Sequence, residues 1–467
     1  MLARRAAEAF GAPQDVEWAV AGGELFLLQS RPVTAAGPAG TPSGPVLGPG
    51  PVAETFPAPL AALEEDLWVE PLRRALGEVL LLTGAASRRR VEASPIVRTV
   101  AGRVAADLEL LGLEERTGRR RWLARLDPRP PARRLRAAWR VGRLRVALPG
   151  LGRDLVREVD RQLAEVPRPR ELDLATLRRV LGRCREALVA VHGHEVLAGR
   201  LLDDGEASAT AASAALRVLA EHAGAGTPDE ELVARFPVLL ALVPPAVGRP
   251  VTLPPAPAGL PAAATSGEDA GLREALRLRA RWLHELSARV ALEIGRRLAA
   301  ANRLPEPASV RHLTLDRLDA LLAGRVAVDL AGGPGETEAP LPARFRLTDA
   351  GAVLPLADGP GDRAGRGAGG GRGSGTVRGL GDLPAGGSVL VVGTLDPDLA
   401  PHLPGLAGLV AETGSPLSHL AILARELGVP VAVGVRGARD RFPPGTRVVV
   451  DGTTGEVIVA PEEAPVP

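Results

Sequence analysis

The chain has 467 residues, with 57 basic and 55 acidic side chains and a formal charge of +2, a balance too even for the phosphate-tracking potential that nucleic-acid binding requires. Every basic residue is an arginine, so the isoelectric point near 9.6 reflects a small charge persisting to high pH and overstates basic character. One cysteine, Cys184, excludes a disulfide framework and fits the cytoplasm, while the longest apolar stretch, 236–247, is short and holds a proline pair, so no membrane span is expected.

In chain order, residues 15–19 and 24–34 read as two strands of a hairpin, followed by a Pro/Gly/Ser linker over 35–50. Leu/Ala/Arg patterns then predict helices at 56–85, 106–126, 131–147, 150–165, 173–200, 207–223, 228–243, 268–303 and 314–323. The clearest is 268–303, with Leu272, Leu276, Leu283, Leu286 and Val290 on one face and arginines opposite. A proline-rich loop over 254–264 interrupts the run, and a β-rich piece over 343–356 ends it. The Gly/Arg stretch 359–373 reads as a flexible hinge.

Near the C-terminus, Leu420, Leu423, Ala424 and Leu427 recur at i, i+3, i+4 and i+7, with Gly428 and Pro430 as stop signals. Ser418 is placed to cap this helix, with Ser415 and Thr413 as rivals, which puts His419 beside unpaired backbone N–H groups. Positive potential there disfavours imidazolium by roughly 0.3 to 1 kcal/mol if exposed, and favours a neutral nucleophile and an anionic phosphohistidine. A histidine that only caps or packs a helix start is the plainer alternative, and the wider pattern decides against it.

That pattern, AETGSPLSHLAILARELGVPVAVG over 411–434, resembles the phosphohistidine swivel domain of the phosphoenolpyruvate (PEP)-utilising enzymes. Glu412, Ser418, His419, Ala421, Ile422, Ala424, Arg425, Glu426, Gly428, Pro430 and Gly434 stand at matching positions. Residues 373–379, 387–397 and 445–457 resemble its opening strand, next strand and closing hairpin. The resemblance implies that His419 is the phosphorylated residue, supported by Ser418, Thr413, Gly414 and Arg425; Thr413-Gly414-Ser415 departs from the usual glycine pair. At the other end, residues 15–19 and 24–34 resemble the last hairpin of the ATP-grasp domain of the same enzymes. This implies Glu17 as a ligand of Mg²⁺, with Gln29 and Arg31 contacting ATP. Residues 1–10 then match the helix before that hairpin and are not a transit peptide.

The implied fold class is multidomain α+β. Residues 1–34 are the remnant of an ATP-grasp domain, 35–50 a linker, 51–358 a mainly helical acceptor domain, 359–373 a hinge, and 374–467 a β/β/α swivelling phosphohistidine domain. No lysine and no Gly-rich nucleotide loop complete the ATP site, and no barrel follows, so a complete PEP synthase is not expected. The order of regions is that of the rifampicin phosphotransferase family. The implied function is ATP-dependent, dikinase-type phosphotransfer, with His419 carrying the group to a small-molecule acceptor and the missing lobe supplied by a separate ATP-grasp chain, a late-assigned start or lost by truncation. A non-catalytic remnant or partner-binding module is the alternative.

Residues 52–60 and 101–108 resemble acceptor-domain segments of that family, with Ala105 where tyrosine is usual, and nominate Glu54 and Arg103 for the acceptor site. His192, His194 and Glu195 evoke a metal site, but i, i+2 spacing points the histidines to different helix faces. The arginine run 116–145 reads as a solvated helix face, and 365–375 as hinge, since no strand leads into it and no Lys-Ser/Thr follows.

Overall fold

The computed structural model describes residues 14–21, 24–32, 42–93, 95–113, 131–202, 210–222, 226–257, 271–325, 341–356, 365–382, 386–414 and 418–460. The helix expected over residues 1–10, Ser415 and most of the proline-rich loop lie outside this set. Contacts divide the chain into two compact units, Met1–Val46 with Arg344–Ala357, and Leu47–Ala343 with Asp358–Pro467. In the first unit, β1 (Gln14–Ala21) and β2 (Glu24–Pro32) pair antiparallel, with Glu17 opposite Gln29, Asp15 opposite Arg31 and a bulge after Glu17.

Part of the expected 35–50 linker is a strand, β3 (Pro42–Gly48), whose Leu47 and Gly48 pair with a hairpin of the second unit. That hairpin is β4 (Val97–Val100) with β5 (Arg103–Asp107), which takes the first two residues of the helix expected over 106–126; residues 114–126 lie outside the described residues. Residues 104 to 107 are buried without a break, which suits a strand covered on both faces and not one face of a helix.

The helical body comprises α1 (Glu70–Thr83), α2 (Arg88–Ala93), α3 (Pro131–Glu165), α4 (Leu174–Leu201), α5 (Ala211–His222), α6 (Asp229–Arg235), α7 (Leu272–Ala300) and α8 (Leu315–Leu322). Helices α4 and α7 pack along one another, and Leu67, Trp68, Leu181, Leu188, Leu283, Val290 and Ile294 fill the space around them, each worth about 1.5–3 kcal/mol of burial. Trp68 stacks on Phe56 and donates Nε1 to Ser287 Oγ at 3.0 Å. Helix α3 is continuous where two helices were expected. Pro149 removes one donor, and buried Leu148 and Val159 on either side hold the helix through it. The helix expected over 228–243 stops at Arg235 instead, because Pro237 disfavours a helical residue before it, and a tight turn Pro237–Leu242 follows.

The β-rich piece is a hairpin of the first unit, β6 (Phe345–Thr348) with β7 (Val353–Pro355). Among the described residues, the C-terminal sheet then has seven strands: β8 (Arg366–Gly367), β9 (Arg372–Arg378), β10 (Ser388–Val392), β11 (Leu406–Ala411), β12 (Val431–Val433), β13 (Arg447–Asp451) and β14 (Val457–Val459). Their order is β14-β13-β9-β10-β11-β12-β8, with β9 to β12 parallel. Helix α9 (His419–Glu426) crosses from β11 to β12, and α10 (Ala438–Arg441) follows β12. Val377, Val389, Val410, Phe442 and Val450 close one face of the sheet. On the other face, Leu409, Leu420, Leu423 and Val431 share a core with Leu216, Leu239 and Leu242 of the helical body.

Two corrections to the expected domain division follow. The helical body and the C-terminal sheet share one core within one unit. The Gly/Arg stretch is structured from residue 365 onward: a Cβ at Gly367 would run into the Thr453 carbonyl, and one at Gly373 into the Ala407 carbonyl. Its glycines there permit close backbone approach. The architecture is α+β, and among the described residues no helix is long and apolar enough to cross a membrane.

Candidate functional site

Ser418 is extended (φ −65°, ψ 151°), 1% exposed, and its Oγ accepts the Ala421 amide at 3.0 Å, which makes it the N-cap of α9. Of its rivals, Thr413 turns away and donates Oγ1 to the Gly393 carbonyl at 3.0 Å. His419 is thus the first helical residue, in the turn whose amides have no helical acceptor. Gly414, at φ +143°, turns the chain out of β11 through a backbone conformation that favours glycine.

Arg425 requires a correction. It lies in the last turn of α9, at the opposite end from His419, and donates to the Ala368 carbonyl at 2.8 Å, so it ties the helix to the sheet edge. Next to it, Glu426 reaches the helical body, where its two carboxylate oxygens accept the amide and hydroxyl of Thr210, each at 3.0 Å. Burial raises the Glu426 carboxyl above its usual range, and the Thr210 bonds offset this only in part.

The remaining candidates sit elsewhere. Glu17 and Gln29 share one rung of the β1–β2 ladder, and Arg31 lies two rungs away. Glu54 closes the short turn Pro51–Glu54. Arg103 donates to the Pro57 carbonyl at 2.9 Å, and the Leu60 amide donates to the Gly102 carbonyl at 2.8 Å. The two acceptor-like segments therefore pack together, but Arg103 clamps a loop and does not line the cleft at the carrier helix.

That cleft opens between the helical body and the start of α9. Leu395, Ala400 and Leu420 form its carrier side; Thr55, His192 and Glu195 of α4, and Arg277, Arg281 and His284 of α7 form the polar part of the other. His192 Nδ1 lies 3.5 Å from Glu195 Oε2, and Arg277 Nε lies 3.2 Å from Glu195 Oε1. Burial pushes the Glu195 carboxyl up, but the bond from His192 and the Arg277 charge outweigh it and hold the group at about 2. Burial, with Arg277 adding to it, pushes Arg281 down to about 10, and its Nη1 donates to the Thr55 carbonyl at 3.2 Å. Burial, then His192 and Arg281, hold the His284 ring well below the usual imidazole range, so it is neutral.

Neither ring nitrogen of His284, nor Nε2 of His192, has a hydrogen-bond partner among the described residues, and the two rings are 5.7 Å apart. His194 leaves this group and places Nδ1 2.8 Å from the Ala190 carbonyl. Sequence reasoning missed the cleft because its members come from two helices. The available signal was spacing: His192 and Glu195 at i, i+3, and Arg277, Arg281 and His284 at i, i+4, i+7, each set on one helix face.

A mixed sheet with a parallel centre thus presents a capped helix that begins at His419 against the helical body. Residues 384–455 match the family described as "PEP-utilising enzyme, mobile domain". It is 32% identical over 223 residues to an uncharacterized protein of Mycobacterium tuberculosis, covering 44% of this chain and 25% of that one. It is 52% identical over 69 residues to the phosphoenolpyruvate-protein phosphotransferase of Streptomyces coelicolor, covering 15% of this chain and 11% of the relative. It is 43% identical over 76 residues to the rifampicin phosphotransferase of Streptomyces sviceus, covering 16% and 9%. The chain thus spans about a quarter of the length of the mycobacterial relatives it matches.

Proposed function

We propose that the chain is a phosphotransferase of the ATP-dependent dikinase type, in which His419 accepts a phosphoryl group and carries it to a small-molecule acceptor in the helical body, in the cytoplasm. The observation that carries this is the Ser418 cap, which makes His419 the first residue of a helix that borders a buried polar cleft through Leu420. A neutral imidazole there is a competent nucleophile, and first-turn amides favour the anion it becomes. A carrier that docks into closed sites keeps water from the transferred group at each stage.

ATP and Mg²⁺ would be held by a nucleotide lobe to which the β1–β2 hairpin contributes Glu17, Gln29 and Arg31. The hairpin offers Glu17 as a carboxylate and Arg31 as a phosphate fork. Among the described residues, no group of three or more His, Cys, Asp or Glu is arranged to hold a metal ion, so the remaining ligands would come from the rest of that lobe. The domain order in this proposal is grasp hairpin, helical acceptor body and swivelling carrier. The test is incubation of the chain with γ- or β-labelled ATP, Mg²⁺ and a separately expressed ATP-grasp lobe of a relative. Acid-labile label is expected on the wild-type chain and none on His419→Ala; equal labelling of the two would remove the carrier role.

A further inference from the structure

We propose that the cleft between α4, α7 and the start of α9 is the acceptor site itself, that it takes a small neutral hydroxyl compound, and that His192 is its general base; this rests on the carrier role of His419. Leaving a buried polar atom unpartnered costs about 1–3 kcal/mol. The cleft wall holds three such ring nitrogens, on His192 and His284, residues 3% and 1% exposed. A bound molecule carrying hydroxyl groups would satisfy them. Glu195 beside Nδ1 fixes the His192 ring with its proton toward the carboxylate and the lone pair on Nε2, the order of carboxylate, imidazole and hydroxyl found in general-base sites.

Charge selects the acceptor. Arg277 is held by Glu195 and Glu274, at 3.2 and 3.5 Å, whereas among the described residues Arg281 pairs with no carboxylate. That guanidinium, which feels Glu195 without pairing with it, suits the dianionic phosphoryl group arriving on the carrier. It leaves no cation for an acceptor that is itself anionic. The rest of the wall is apolar, including Ala211, Ala241 and Leu242, and would cover an uncharged carbon skeleton.

In the transfer, the acceptor oxygen bonds phosphorus as the N–P bond of phosphorylated His419 breaks. The hydroxyl proton passes to His192 Nε2 and then to solvent. The His419 ring leaves with the bonding electron pair and takes a proton from solvent. The sum exchanges one phosphoryl group for one proton and requires no further reactant.

The experiment loads the full chain with phosphoramidate, a small donor that phosphorylates histidine chemically, and reads phosphohistidine by phosphorus NMR before and after adding glycerol or, separately, glycerate. Wild type is expected to form glycerol phosphate faster than phosphoglycerate. His192→Gln and Glu195→Gln are expected to load equally but to transfer about 100-fold more slowly. A variant that fails to fold reveals itself by losing the loading signal, and Arg281→Gln, at a partly exposed side chain, then serves in its place with the same expected slowing. A wild-type chain that never loads His419 removes the carrier role and this proposal with it. A loaded chain that forms no glycerol phosphate, prefers glycerate, or transfers equally well without His192 overturns this proposal alone.

Discussion

His284 shows how one side chain can be bound to its surroundings through what it cannot do. Its ring is wedged between Trp68 and Phe56, each 5.6 Å away, with Ser287 donating to its backbone carbonyl at 2.7 Å. The folded ring resists protonation well below its ordinary value, while the unfolded ring binds a proton from about pH 6.5 downward. Stability attributable to it is therefore full above that pH and lost as pH falls toward the depressed folded value, by about 1.4 kcal/mol per pH unit. Denaturant titrations at pH 7.5 and 5.5 should show a steeper loss for wild type than for His284→Phe. Parallel losses in the two proteins would mean that the buried ring takes up its proton as readily as the unfolded one.

At the scale of elements, β9 is the strand on which the C-terminal sheet is most exacting. It lies between β10 and β13, and Gly373 sits where any Cβ would meet the Ala407 carbonyl of β11. Backbone cannot yield as a flexible side chain can, so the strands would have to separate. Gly373→Ala is expected to destabilise the C-terminal region by about 2 kcal/mol or more, on the scale of overpacking a core. Thermal unfolding of the variant measures this, and an unchanged midpoint would mean that β9 and β11 can move apart at little cost. By contrast, α9 is held by polar contacts at both ends, Ser418 on Ala421 at its start and Arg425 on Ala368 with Glu426 on Thr210 at its end.

Across the whole second unit, the contact on which the proposed carrier role bears is Glu426 on Thr210, beside the core shared by α5 and α9. Because burial raises the Glu426 carboxyl, its proton binds the docked form better, and docking strengthens as pH falls through that raised value. Glu426→Gln should retain docking, since an amide keeps an acceptor for the Thr210 N–H and a donor for its hydroxyl. Glu426→Ala should weaken it by about 1–2 kcal/mol by stranding two polar groups of Thr210. Limited proteolysis between the helical body and β9 reads the difference, and equal protection of all three proteins would show that apolar burial alone sets the docked position.

The carrier helix was legible in sequence because its signals are local. A cap residue, an apolar stripe and a Gly/Pro stop all fall within about a dozen residues, and backbone hydrogen bonding reads them at that range. The pattern of α7 was legible for the same reason, with Leu276, Leu283, Leu286 and Val290 buried as their spacing predicts and Leu272 half-buried. Spacing could not reveal that Gly373 serves a close approach to β11, or that residues 104 to 107 are covered on both faces, because those facts depend on distant chain. The cleft shows the same division. His192 with Glu195 and Arg281 with His284 are ordinary helix neighbours in sequence, and only the packing of α4 on α7 brings the two imidazoles together, strips them of water and sets them against Leu420. Sequence by itself determined which segments become helix or strand wherever the cues are short-range; tertiary structure decided which polar groups are buried together, because desolvation belongs to the assembly and not to any one segment.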